Sequence, residues 1–111
     1  MAPTRNTLGD LDEIALLVVI ALGDAAYGVA VQQRIEADAR RRIALGSVYA
    51  ALDRLERRGY LRSAFGEATA QRGGRRKRIF EATPSAVRAL RDLKRTRDRL
   101  WHAADAAEGR G

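Results

Sequence analysis

With 111 residues and 46% apolar side chains, the chain can bury one modest core and has no length left for a separate catalytic domain. It contains no cysteine, which excludes a disulfide framework and any thiolate metal or redox site. The net charge of +7 is uneven: residues 1–39 carry two Arg against six acids, residues 40–78 twelve basic residues against three acids, and residues 79–111 seven against five, so attraction for polyanions is concentrated in the middle third.

The pattern predicts four helices and a hairpin. Asp10 with Glu13 three residues on resembles a capping box, and Leu11, Ile14, Val18, Ala21 and Leu22 recur at helical spacing until Gly23, giving a first helix over 10–22. Leu16, Leu17, Val19 and Ile20 fill its other faces, so it is expected to be covered on more than one side, with Leu16 and Ile20 at a second subunit. Its apolar run, Ile14 to Leu22, is about half of a bilayer span, and no basic leader with a small-residue cleavage site precedes it. A soluble, cytoplasmic protein with no membrane partner is expected. Tyr27-Gly28 opens a second helix to about Ala39, with Val31 and Ile35 facing inward, and Arg40 to Arg42 form the connection.

The third helix is expected from about Gly46 to Arg58, ended by Gly59 as a left-handed C′ residue, with Val48, Leu52 and Leu55 as its buried stripe. The opposite side presents Ser47, Tyr49, Ala50, Arg54 and Arg57, with Arg42 just ahead of the helix. Such a face suits a major groove: small side chains approach base edges, unpaired N–H groups favour phosphate, and Arg forks onto guanine. An ordinary surface helix laced by Asp53 and Arg57 is the simpler alternative, but Arg54 and Arg58, like charges one turn apart, cost stability unless a partner attracts them.

Leu61 and Phe65, then Arg78, Phe80 and Ala82, alternate with other residues on either side of an aperiodic Gly66 to Gly74 segment, the pattern of a hairpin with a long glycine-tipped loop. Arg72, Gly73, Gly74, Arg75, Arg76 and Lys77, followed by Arg78, place five positive charges around two glycines, a tip fit for a minor groove or for straddling phosphates. A nucleotide-cradling loop is disfavoured, because no Lys-Ser/Thr follows the glycines and no helix starts there. Thr83-Pro84 then starts a final helix to about Ala107. Along it Ala86, Ala89, Leu93, Thr96, Leu100, Ala103 and Ala107 alternate three and four apart, a heptad seam that implies a homodimer, or else packing back onto the first helix.

Tyr27-Gly28, the run from Leu45 to Gly59 (LGSVYAALDRLERRG), and Gly73-Gly74-Arg75-Arg76-Lys77 followed by Thr83 resemble the signature of the PadR family of transcriptional repressors, over about Leu8 to Leu90. The single C-terminal helix is similar to the family's shorter members. The resemblance implies a dimeric winged-helix repressor that leaves its promoter on a signal, with Tyr49 and the Ser47 neighbourhood in the recognition helix and Arg75, Arg76 and Lys77 in the wing. This chain departs from the family in having Ala86 where Gly is usual and Ile79-Phe80 where an aromatic pair with Tyr is usual. Some relatives bind planar aromatic compounds, so lone Trp101 either plugs the subunit contact, the simpler reading, or stacks such an effector together with Leu100 and Arg97.

Enzyme chemistry finds little support. His102 is the only histidine, Ser47, Ser63 and Ser85 lack a nucleophile-elbow context, and Asp10, Asp12 and Glu13 suit a helix N-terminus better than paired acid-base work. No metal or cofactor is expected. The expected fold is mainly α with a small β-hairpin: a winged helix-turn-helix DNA-binding domain over 1–83 and a C-terminal dimerisation helix and tail over 84–111, in one compact unit. The expected function is sequence-specific binding of double-stranded DNA by a homodimer at a near-palindromic operator. The alternative is a basic interaction module docking on an acidic protein.

Overall fold

A computed structural model describes residues 8–66 and 77–110. Helix α1 (Asp10–Leu22) runs into a single 3-10 turn at Gly23–Ala25, followed by α2 (Gly28–Asp38), α3 (Leu45–Arg57), β1 (Leu61–Phe65), β2 (Arg78–Ala82) and α4 (Pro84–Arg110). The strands pair antiparallel, from Leu61 opposite Ala82 to Phe65 opposite Arg78. Tyr27 bridges Ile79, and the Phe80 N–H donates to the Ala26 carbonyl at 2.8 Å, so the link between α1 and α2 covers the outer edge of β2. Among the described residues, no helix is long and apolar enough to cross a membrane.

One core joins these elements. Leu16 and Val19 of α1, Val31 and Ile35 of α2, Val48, Leu52 and Leu55 of α3, Leu61 and Phe80 of the hairpin, and Ala86 and Leu90 of α4 are all buried in it. The three-residue and four-residue spacings put one stripe of each helix inward, and Phe80 is the hairpin's largest plug. Leu16 therefore belongs to the chain's own core, which corrects its expected place at a second subunit; the large apolar side chains exposed on α1 are Leu17 (49%) and Ile20 (44%). A helix apolar on every face leaves that choice open, because several rotations about its axis bury equally many methyl groups.

The start of α1 also differs from expectation. Gly9, in extended conformation, precedes the first turn and no side chain caps it. The three acids of that turn each bind an arginine from elsewhere: Asp10 binds Arg41 at 2.6 Å, Asp12 binds Arg54 at 2.7 Å, and Glu13 binds Arg97 at 2.9 Å. Negative charge at a helix N-terminus is favourable in itself, and here it also ties α1 to the α2–α3 connection, α3 and α4. The connection is further held by α2: the Gln32 amide donates to the Ile43 carbonyl at 2.9 Å, and Glu36 accepts from the Ile43 N–H at 3.1 Å. These bonds satisfy a segment that carries no secondary structure of its own.

Candidate nucleic-acid interface

Helix α3 is fixed at its C-terminus by a left-handed glycine. Gly59 has φ 83°, its N–H donates to the Glu56 carbonyl at 3.0 Å, and the Tyr60 N–H reaches the Leu55 carbonyl at 2.9 Å. This is the paired closure that lets a chain turn sharply out of a helix, and the buried Tyr60 ring completes it. The turn feeds straight into β1, so hairpin and helix share a rigid corner. Thr83 locks the other end: its hydroxyl donates to the Gly59 carbonyl at 2.7 Å and accepts from the Ala86 N–H at 3.3 Å, capping α4 as its position before Pro84 predicts.

With its inner stripe buried, α3 turns Ser47, Tyr49, Ala50, Arg54 and Arg57 to solvent, and Arg42 is exposed just ahead of it. Arg42 and Arg57 have no ion-pair partner among the described residues. Arg54 differs: Nη2 donates to Oδ1 of Asp12 at 2.7 Å and Nε to Oδ2 at 3.4 Å. Asp12 is buried, and its hydrogen bond, then its charge, hold the guanidinium above its ordinary pKa against a smaller effect of burial. Arg54 thus anchors α3 to α1, a role that sequence spacing does not reveal because its partner lies 42 residues away. Asp53 pairs with Arg78 across to the hairpin, not with Arg57 as helical spacing suggests.

Two aromatic residues bring α3 and the hairpin together at the start of α2. A Cβ at Gly28 would collide with Cζ, Cε1 and the hydroxyl of Tyr49, so that ring lies directly on the glycine backbone. Next to it, the Lys77 ammonium stands 3.9 Å from the centroid of the Tyr27 ring. Tyr27-Gly28 thereby gains a physical reason: one residue carries the wing's cation, the other leaves room for the tyrosine of α3. Arg72, Gly73, Gly74, Arg75 and Arg76 lie outside the described residues.

The positions expected at a subunit contact separate into two groups. Ala89 is buried in the core and Leu93 is half-buried, whereas Thr96, Leu100, Ala103 and Ala107 are exposed. Leu100 and Trp101 are 65% and 66% exposed, large apolar surfaces on the outer half of the helix. A groove of about 710 Å³ runs between α1 and α4, walled by Leu17, Ile20, Leu90, Arg97 and Trp101. Of the three expected effector residues, Arg97 and Trp101 meet there, and Leu100 is not among its walls; Arg97 is engaged by Glu13. His102 is an exposed helix residue.

Residues 16–92 match the Transcriptional regulator PadR-like family. Among solved structures, a PadR family transcription regulator from hypervirulent Clostridium difficile superposes with a TM-score of 0.70 at 19% identity, covering 88% of this chain and 97% of that one. A transcriptional regulator from Clostridium thermocellum gives 0.69 at 22% identity over 90% and 97%. A PadR family regulator from Eggerthella lenta gives 0.61 at 25% identity over 87% and 79%. No protein of curated function matches the chain. The helix–hairpin unit is thus a winged helix of DNA-binding type, and the chain belongs to the PadR-like family of transcriptional regulators.

Proposed function

We propose that the protein is a homodimeric repressor that places the exposed faces of two α3 helices in successive major-groove turns of a near-palindromic operator, half-sites about 34 Å apart, with its wings in the flanking minor grooves. The observation that supports this reading is that Tyr49 of α3 and Lys77 of the hairpin rest on neighbouring residues at the start of α2, Gly28 and Tyr27. Ser47, Ala50 and Arg57 lend sequence preference, and the wing with Arg42 lends phosphate affinity. If each subunit neutralises about three phosphates, the log-log salt slope is about −5. A gel shift on the protein's own upstream region, with and without competing nonspecific DNA, tests it; loss of the shift on adding competitor would leave only nonspecific charge attraction. Changing Arg75 and Arg76 to Ala weakens all sequences alike and flattens the slope, whereas changing Ser47 alters preference.

The exposed seam of α4 supports self-association through Thr96, Leu100, Ala103 and Ala107, together with Ile20 of α1. The groove holding Trp101 supports release by a flat aromatic compound. Because Trp101 is the only tryptophan, its fluorescence reports binding directly, and an unmoved signal across a panel of planar apolar compounds removes the effector from the scheme.

A further inference from the structure

Arg78 closes the cationic run of the hairpin, and by sequence it reads as one more phosphate contact. Its guanidinium instead faces inward. Nη2 donates to Oε1 of Glu56 at 2.5 Å, Nη1 to Oδ1 of Asp53 at 3.5 Å, and Nε to the Ser63 hydroxyl at 3.0 Å. Ser63 in turn donates to Glu56 at 3.0 Å, and the guanidinium plane lies over the Phe80 ring, 4.8 Å from its centroid. Three elements meet in this clasp: β2 supplies the cation, β1 the hydroxyl and α3 both carboxylates.

The location gives the clasp its consequence. Arg78 pairs with Phe65 on the last rung of the ladder before the loop, the end of the hairpin furthest from the Gly59–Thr83 corner. A two-stranded hairpin is marginal alone, so its outer end takes its direction from what it is tied to. The planar fork of arginine reaches three acceptors at once, which the point charge of lysine does not. Glu56 and Asp53 are also the only acids on α3, the helix read above as the DNA-facing one, where uncompensated carboxylates would repel phosphate.

We propose that Arg78 is a positioning residue: through Glu56 and Ser63 it sets the wing at a fixed distance from α3, so that both reach the duplex together. This rests on the DNA-binding reading above. The sign of one substitution tests it. Glu56→Gln removes a negative charge near the duplex, so charge alone makes binding tighter; loss of the clasp makes it weaker. Using the full chain, fluorescence anisotropy is measured on a duplex recovered by selection from the native genome and on one of mixed sequence, with thermal melts alongside. Expected is a weakening of about tenfold on the selected duplex for Glu56→Gln and for Arg78→Lys, the size of about 1.4 kcal/mol. Glu81→Gln, which removes the same charge on the exposed side of the hairpin, binds no more weakly than the parent chain. Ser63→Ala, which changes no charge, weakens binding as well and serves if Glu56→Gln does not fold. The salt slope falls by the same amount in Glu56→Gln as in Arg78→Gln, because either change releases the wing from the phosphates. Tighter binding by Glu56→Gln with unaltered affinity for Ser63→Ala overturns the proposal, as does a slope reduced by about one in Arg78→Gln but unchanged in Glu56→Gln, the mark of a direct phosphate contact. Failure of the parent chain to bind either duplex is seen first and overturns the DNA reading instead.

Discussion

At the scale of single residues, the site is built from contacts between positions far apart in the chain. Arg54→Ala leaves the buried Asp12 carboxylate without its guanidinium, and a buried acceptor stripped of its partner costs about 1–3 kcal/mol, to be measured by chemical unfolding. Removing Asp12 as well recovers part of the loss, because the orphaned charge goes with it. Gly28→Ala has the opposite character. The atoms in its way are the far end of the Tyr49 side chain, so the ring swings aside, and stability changes by less than about 1 kcal/mol while DNA affinity falls about tenfold. An affinity unchanged in that variant would show that Tyr49 has no part in recognition.

At the scale of elements, the helices and strands are readable to within three residues because burial repeats at the period of each structure, and Gly23, Gly59 and Thr83-Pro84 punctuate it. The capping box was not realised because Asp10 and Glu13 had stronger partners in Arg41 and Arg97, which no local spacing announces. Phe65 shows the same limit: it alternates correctly with Leu61 yet is 64% exposed, since the hairpin runs out past the edge of the core. The roles of Arg54 and Arg78 were hidden for a related reason. Composition marks an arginine as cationic but does not say which carboxylate the fold brings to it. The Gly59–Thr83 corner yields the element-scale prediction: Thr83→Ala removes both the α4 cap and the bond to the Gly59 carbonyl and lowers stability by about 0.5–2 kcal/mol, checked by thermal melting, while α3 itself is retained by circular dichroism.

At the scale of the whole molecule, extents of 62 × 34 × 21 Å describe a small globular body with a projecting helix. Helix α4 has 27 residues, about 40 Å of length, and it shares the core only through its first turns. Placing Asp at Leu93 and Leu100 sets charge into the seam; sedimentation is expected to shift from dimer to single chain, with operator affinity falling steeply because two half-sites are no longer held by one particle. A variant that still sediments as a dimer would move the subunit contact elsewhere. A long arm left bare by its own body has a further outcome. If the proposed dimer forms along it, melting temperature climbs with protein concentration and the number of molecules in a cell becomes a control on promoter occupancy, one that dilution alone can switch off.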